Sequence, residues 1–267
     1  MGRLAILSAK GALPVQIAAA HPDALIFTLQ GVDHDHQVST IEHRFEQLGG
    51  LMDDLKARGV DQLVFAGAMT RPQLDPTAFD PYMQAIAPKL VQAFQQGDDK
   101  LLRFVISLFE EQGIQVRGAH ELLPELTLKP GLFVGSEPSD INLKDAQKAA
   151  EILRTLGPLD VGQGVVVSAG LCLGIETLQG TDALLSFVAQ TPDTLHQTPG
   201  VFVKAPKVGQ DLRVDMPAIG PQTIENVSKA GLAGIVVAAG RVLFVDKPAI
   251  LAAAEKYGVF ILARDDL

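Results

Sequence analysis

Short apolar runs alternate with amphipathic segments along the first half of this chain, and this alternation restricts the folds that it can adopt. Arg3–Ser8, 24–29 and 62–66 are typical of buried strands. Residues 44–58 and 98–112 carry apolar side chains at helical spacing. Strands separated by helices favour a mainly parallel sheet, so we predict a Rossmann-like N-terminal domain.

The second half repeats the alternation after a break. Residues 127–140 lose periodicity and collect two prolines and two glycines. We therefore predict an α/β chain with a Rossmann-like N-terminal domain (1–126), a linker (127–140) and a distinct α/β C-terminal domain (141–267). Helices are predicted at 141–156, after Thr181 and at 248–257, and strands at 164–168, 171–175, 201–204, 234–237, 242–245 and 259–262.

Charge and hydropathy exclude several classes of function. The 267 residues carry a formal net charge of −9, and no run of lysine or arginine interrupts it. Nucleic-acid binding and basic contacts with a membrane surface both need such a positive face. The longest apolar stretch, 230–240, falls well below the roughly 20 residues of a membrane span. We expect no nucleic-acid partner and no spanning helix.

Cys172 is the only cysteine, so no internal disulfide can form. It lies in an apolar, strand-like run, where a buried small side chain is expected rather than a nucleophile. A single cysteine is compatible with a cytosolic protein.

Asp215 stands in the segment that is richest in possible chemistry. Pro217 prevents the preceding extended run from continuing, and Gly220-Pro221 suits the start of a helix. The free amides of a helix start can receive phosphate oxygens, and a carboxylate can bind magnesium. Nearby cations are Lys204, Lys207 and Arg213. The alternative is that Asp215 is a turn residue bonded to its own backbone.

A second acidic region runs from Glu176 to Asp182. Thr181 or Asp182 can cap the helix that follows. The functional alternative makes Asp182 a partner of Asp215 at one metal ion.

Two loops are placed to bind a ligand in the first domain. Gly11-Ala12-Leu13-Pro14 follows the first strand, and residues 66–72 follow the third. Open α/β sheets bind ligands at this edge, and both loops should lie there together. As a dinucleotide fingerprint the first loop is weak, because Ser8-Ala9-Lys10 stands where further glycines are usual.

The Asp33-His34-Asp35-His36 segment contains an H-x-H core. No Asp-His pair follows at the spacing of a metallohydrolase. A polar loop is therefore favoured over a metal site.

Read together, several ordered motifs resemble the LpxI-type UDP-2,3-diacylglucosamine pyrophosphatases of lipid A biosynthesis in Gram-negative bacteria. The resemblance covers nearly the whole chain. Its motifs are Gly11-Ala12-Leu13-Pro14, residues 66–72, Gly97-Asp98-Asp99-Lys100-Leu101-Leu102-Arg103, Gly118-Ala119-His120-Glu121, Asp160-Val161-Gly162-Gln163-Gly164, residues 176–182, Lys204-Ala205-Pro206-Lys207, the Asp215 segment and residues 230–240.

The resemblance implies a magnesium-dependent hydrolase that cleaves UDP-2,3-diacylglucosamine to UMP and 2,3-diacylglucosamine 1-phosphate (lipid X). It implies that the substrate lies between the domains and that water attacks the sugar-side phosphorus. Asp215 matches the family's essential aspartate. One departure is that Ser8-Ala9-Lys10 replaces a glycine run that often precedes Gly11 in the family.

These considerations give one set of predicted site residues. Asp215 is predicted to be catalytic and to bind magnesium, with Asp182 as its second metal ligand. Predicted substrate contacts are Gly11, Ala12, Leu13, Ala68, Thr70, Gln163, Thr181, Lys204, Arg213 and Thr223, with Lys204 and Arg213 on phosphate oxygens.

The expected partner is an amphipathic UDP-diacyl sugar, met in the cytoplasm with at most transient contact with the inner membrane surface. The sequence does not decide whether the protein forms a homodimer. The competing hypothesis is a non-catalytic nucleotide-binding or regulatory module, and a redox enzyme is weaker because of the poor glycine fingerprint. Release of UMP distinguishes a hydrolase from a binding module.

Overall fold

The computed structural model describes residues 2–69, 72–196 and 198–267. The chain forms two compact units. Unit 1 comprises Met1–Pro124 together with Asp211–Asp215, and unit 2 comprises Glu125–Gln210 together with Met216–Leu267. Each unit contains a sheet and its own apolar core, which confirms the predicted α/β class.

Unit 1 is built on a parallel sheet with the strand order β3-β2-β1-β4-β5. Its strands are β1 (Arg3–Ser8), β2 (Leu25–Leu29), β3 (Ile41–His43), β4 (Val60–Ala66) and β5 (Gln115–Arg117). Its helices are α1 (Ala12–Ala20), α2 (Leu48–Ala57), α3 (Pro81–Gln95), α4 (Asp98–Glu110) and α5 (Ala119–Leu122). The central strand is apolar on both faces, as a parallel sheet covered on both sides requires. This is the Rossmann-like order that we expected.

Helix α3 was not predicted, although its start carries a strong local signal. Asp80 accepts a hydrogen bond from the Met83 N–H (2.7 Å), and Pro81 occupies the first helical position. Pro88 inside the helix obscures the pattern, because proline removes one backbone donor. Tertiary packing of Met83 and Leu90, both buried, keeps this segment helical.

Unit 2 has a mixed sheet with the order β6-β13-β11-β9-β7-β8 and a separate parallel pair, β10-β12. Its strands are β6 (Gly131–Val134), β7 (Gly164–Ser168), β8 (Leu171–Ile175), β9 (Val201–Lys204), β10 (Ala218–Ile219), β11 (Gly234–Ala238), β12 (Leu243–Phe244) and β13 (Phe260–Arg264). Its helices are α6 (Asp140–Leu156), α7 (Gly180–Val188), α8 (Pro221–Lys229) and α9 (Lys247–Tyr257). Strands β9, β11 and β13 are parallel, whereas β6 and β7 run against them.

The segment predicted as a linker is part of unit 2. Leu128 is only 2% exposed within the core, and β6 pairs with β13. The glycines and prolines that suggested a linker instead flank an edge strand. Gly135 permits the close approach of Phe260, whose Cα would lie 2.6 Å from an added Cβ.

Helix α6 begins at a capping box. The Ser139 hydroxyl accepts the Asn142 N–H (3.2 Å), and the Asn142 side chain accepts the Ser139 N–H (3.2 Å). Ala146 and Ala149 are fully buried and let the helix lie close to the sheet. Neither α6 nor any other helix in the described ranges is long and apolar enough to cross a membrane.

Cys172 is exposed, so the prediction of a buried thiol was wrong. The local sequence is apolar, but β8 is the last strand of its sheet. An edge strand leaves part of its side chains in solvent, and Leu171 is 58% exposed beside Cys172.

The β7–β8 hairpin turns through Ala169 (φ 47°) and Gly170 (φ 77°), two residues with left-handed backbone. The buried Asp145 carboxylate of α6 accepts the N–H groups of both, at 2.9 Å and 2.7 Å. We expect Asp145→Ala to lower the free energy of unfolding by about 3 kcal/mol, because two N–H groups of the turn lose their carboxylate acceptor. Urea titration followed by circular dichroism measures this.

Lys144→Ala is the matched control for that prediction, since Lys144 is an exposed neighbour on the same helix. Its expected effect is within about 0.5 kcal/mol of the parent. A loss below about 1 kcal/mol for Asp145→Ala would contradict the role given to this carboxylate.

Candidate functional site

The loops after β1 and β4 meet at the carboxyl edge of the unit 1 sheet. The Ala9 N–H donates to the Ala66 carbonyl, and the Ala68 N–H donates to the Lys10 carbonyl, both at 2.8 Å. An added Cβ at Gly67 (φ 100°) would lie 2.6 Å from the Ala9 carbonyl carbon, so only glycine fits there. The chain reverses its winding direction between β1 and β4, and such switch points are where open α/β sheets bind ligands. The prediction that both loops share one edge is confirmed.

Gly11 caps the start of α1 with a φ of 122°, and Ala12 and Leu13 form the first turn. The structure thus brings Gly11, Ala12, Leu13 and Ala68 together at the switch point. Thr70, which was predicted to join them, lies outside the described residues. Of the three residues that replace the family's glycine run, Ser8 and Ala9 are buried, at 3% and 2% exposure, and Lys10 is exposed.

Residues 33–36 lie in the connection between β2 and β3 and contact the end of β1 and the β1–α1 loop. Asp35 accepts the Gly11 N–H (2.7 Å), Lys10 pairs with Asp33 (3.7 Å), and His36 Nε2 bonds to the Ser8 hydroxyl (2.9 Å). Burial, aided by the nearby His34, lowers the pKa of His36 below its ordinary value. The segment is a polar loop, as predicted: Asp33, His34 and Asp35 are exposed, and His36 is buried against Ser8.

Our reading of the sequence missed these contacts, although one signal could have found them. Asp33 and Asp35 follow β2 at roughly the spacing from the loop glycine at which Rossmann folds carry an acidic residue. We weighed the segment as a polar loop or a metal site, and not as a partner of the Gly11 loop. In the described part of the chain, no three or more His, Cys, Asp or Glu residues gather into a metal-binding group.

Residues 211–215 belong to unit 1, and this corrects the predicted domain assignment of Arg213 and Asp215. Val214 packs against the apolar core of unit 1. The Arg213 guanidinium reaches Glu110 at the end of α4, with an Nη1–Oε1 distance of 2.6 Å. These contacts connect the segment to elements that are about 100 residues earlier in the chain.

Arg213 is held by carboxylates on two elements. Its Nε and Nη2 donate to the two oxygens of Asp211, at 3.0 Å and 2.7 Å, and its Nη1 donates to Glu110. The hydrogen bonds with Asp211 raise the pKa of Arg213 further above its ordinary value. Those same bonds lower the pKa of Asp211, against the opposing effect of its burial. The predicted phosphate contact of Arg213 would have to compete with both acidic groups.

Asp215 is half-buried at the end of this turn, and its N–H donates to the Asp211 carbonyl (3.2 Å). Beyond it, Pro217 is buried and α8 begins at Pro221, as the sequence predicted. Thr223 is 7% exposed, and its hydroxyl accepts the Gly220 N–H (3.4 Å) at the start of α8. Thr223, which was predicted to contact substrate, thus uses its hydroxyl to cap the start of α8.

Lys204, Glu176 and Thr181 form a buried polar cluster at the carboxyl end of β9. Lys204 Nζ donates to Glu176 Oε2 (3.1 Å), Glu176 Oε1 (3.3 Å) and Thr181 Oγ1 (2.6 Å). The Lys204 side chain is 4% exposed and that of Glu176 is 11% exposed. The Glu176 carboxylate and the Thr181 hydroxyl take up at least two of the three N–H donors of the ammonium group. The predicted contact of Lys204 with phosphate oxygens would have to compete with the Glu176 carboxylate.

The other predicted residues of unit 2 also have partners within the protein. Gln163 donates to Gln210 (2.9 Å), and Lys207 pairs with Asp160. Asp182 is exposed in the first turn of α7 and accepts a hydrogen bond from Asn226 (2.8 Å). Asp182 and Asp215, the two proposed ligands of one metal, belong to different units.

The fold defines a class: a two-unit α/β protein with a Rossmann-like N-terminal unit, in which two loops meet at the switch point of the sheet. The family model of the LpxI N-terminal domain matches residues 3–126, and that of the LpxI C-terminal domain matches residues 129–262. The UDP-2,3-diacylglucosamine pyrophosphatase LpxI of Caulobacter vibrioides (strain ATCC 19089 / CIP 103742 / CB 15) is 38% identical over 276 residues, covering 99% of this chain and 98% of that protein. The chain belongs to the LpxI family.

Proposed function

We propose that this protein hydrolyses UDP-2,3-diacylglucosamine to UMP and 2,3-diacylglucosamine 1-phosphate in lipid A biosynthesis. The observation that carries the proposal is the 38% identity to a protein named UDP-2,3-diacylglucosamine pyrophosphatase. The identity extends over 99% of this chain and 98% of that protein. The enzyme would act in the cytoplasm, on an amphipathic substrate that brings it into transient contact with the inner membrane surface. The loops at Gly11 and Ala68 would hold the uridine half.

Asp215 is the proposed catalytic residue. Asp215 is half-buried, and the turn that carries it is part of unit 1. A carboxylate in this setting can orient the attacking water and accept its proton as the new P–O bond forms. Water would attack the sugar-side phosphorus in line with the departing UMP oxygen.

A magnesium ion fits this proposal only if the protein supplies few of its ligands. The described residues contain no group of three or more acidic or imidazole side chains. Magnesium commonly keeps several waters and binds through one or two carboxylates together with substrate phosphates. Asp215 would be that carboxylate, and Asp182 is not needed as a partner. Bound there, the ion would neutralise charge that builds on the pyrophosphate.

An assay of UMP formation with and without magnesium tests the proposal. We expect hydrolysis with magnesium, and its loss when a chelator removes divalent ions. A protein that binds the substrate or UMP but releases no UMP would support the alternative of a non-catalytic nucleotide-binding module. Turnover that is unaffected by the chelator would support the hydrolase activity but contradict the proposed role of magnesium.

The position of attack has its own test, namely the reaction in heavy-oxygen water. Attack on the sugar-side phosphorus places the label in 2,3-diacylglucosamine 1-phosphate, because UMP leaves with its original oxygen. Mass spectrometry of both products reads the outcome directly. Label in UMP would mean that water attacks the nucleotide-side phosphorus instead.

A further inference from the structure

We propose that Arg213 is a positioning residue for Asp215 rather than a ligand of the substrate phosphates. Its guanidinium, held between Asp211 and Glu110, fixes the turn that carries the catalytic carboxylate. We call residues 211–215 the Asp215 turn, and the contacts of Arg213 with the two acidic side chains the clamp. The inference rests on the proposed catalytic role of Asp215.

Asp211 closes the Asp215 turn through hydrogen bonds with three successive backbone N–H groups. The Asp211 carbonyl accepts the N–H groups of Val214 (3.3 Å) and Asp215 (3.2 Å). The Asp211 carboxylate accepts the N–H of Arg213 (3.1 Å). Three successive backbone donors therefore converge on one residue, and this gives the turn a defined backbone conformation.

The clamp connects that turn to helix α4. Asp211 receives two N–H bonds from the guanidinium fork, and Glu110 receives a third from Nη1. Paired N–H bonds to a carboxylate fix direction as well as distance. The orientation of the Asp215 turn relative to α4 therefore depends on the Arg213 side chain.

Two further contacts support the same turn. Val214 packs against the core of unit 1. Gly118, which caps α5, lies against the backbone of Arg213: an added Cβ would lie 3.3 Å from the Arg213 Cα and 2.5 Å from the His120 ring. The ion pair, the apolar contact and the backbone contact hold the turn on one unit.

The charges of the clamp argue for positioning over phosphate binding. The Arg213 guanidinium forms ion pairs with two carboxylates, Asp211 and Glu110. Arg103 lies near enough to interact with Asp211 as well. A substrate phosphate would have to compete with these carboxylates for Arg213. A catalytic carboxylate must be held to within about 0.5 Å of its productive position. A displacement of about 1 Å can lower a rate by about 100-fold.

The test compares Glu110→Gln, Arg213→Gln and the double variant, using UDP-2,3-diacylglucosamine as substrate. We expect each single variant to lower kcat about 10- to 100-fold, because Asp215 is displaced, while KM stays within about threefold. The double variant should be no worse than the more severe single variant, because the two residues act through one contact. Hydrogen exchange of the amides of residues 213–215 should be faster in all three.

Arg58→Gln is the matched control, since it removes another unit 1 ion pair of similar length, Arg58–Asp54 at 2.7 Å. It should leave kcat and the exchange rates of residues 213–215 unchanged. Melting followed by circular dichroism checks that every variant folds.

The outcomes separate the two roles of Arg213. Parental kcat in Glu110→Gln, or a raised KM with unchanged kcat in Arg213→Gln, would overturn the clamp and restore the phosphate contact. If the parent protein does not hydrolyse the substrate, the proposed function is wrong. The hydrogen-exchange rates of residues 213–215 then still test whether the clamp holds the Asp215 turn. Unchanged exchange in Glu110→Gln and Arg213→Gln would overturn it.

Discussion

Asp215→Ala and Asp215→Asn should each lower kcat by roughly three orders of magnitude, with little change in KM or melting temperature. Both variants remove the negative charge that would orient water and bind magnesium, whereas the asparagine keeps the shape of the side chain. The Asp215 N–H, which helps close the turn by bonding to Asp211, is retained in both. Steady-state measurement of UMP release, with melting by circular dichroism, checks the expectation.

Asp23→Asn is a suitable control for this loss, because Asp23 is an exposed acidic residue of unit 1. It should retain parental kcat. Activity of either Asp215 variant within tenfold of the parent would remove Asp215 from the catalytic role. A collapse of the melting temperature in both variants would instead indicate that this side chain mainly supports the fold.

Lys204→Ala should lower the free energy of unfolding by about 3–5 kcal/mol, the second large effect that we expect. The substitution leaves the Glu176 carboxylate buried without its cation, and it also removes the donor to Thr181. Chemical denaturation followed by circular dichroism measures the loss. The chain contains no tryptophan, so intrinsic tryptophan fluorescence cannot serve.

A double variant distinguishes burial from substrate binding at this cluster. Lys204→Met combined with Glu176→Leu removes both charges and should recover much of the lost stability, because apolar side chains of similar size can replace a buried ion pair. Parental stability of Lys204→Ala together with a raised KM would show that Lys204 contacts the substrate after all.

The local elements of this fold could be read from the sequence because periodicity and caps determine them. Arg3–Ser8, Gly164–Ser168 and Leu171–Ile175 were predicted with their observed bounds, since each is a short apolar run ended by turn residues. The placement of Gly11 and Ala68 at one edge followed from the parallel order of strands. Helix α3 and strand β6 were missed, because proline and glycine signals there pointed to loops.

The sequence by itself determined the α/β class and the placement of the Gly11 and Ala68 loops at one edge of the unit 1 sheet, and the family resemblance singled out Asp215 as the residue to test. Only the tertiary structure decided what surrounds the charged side chains. Arg213 is paired with Glu110, 103 residues away in the chain, and Lys204 with Glu176, 28 residues away. Local patterns report which face of an element is apolar, but the partner of a charge depends on which distant elements the fold brings beside it. For that reason the sequence suggested phosphate ligands where the structure has internal ion pairs, and it placed residues 211–215 in the wrong unit.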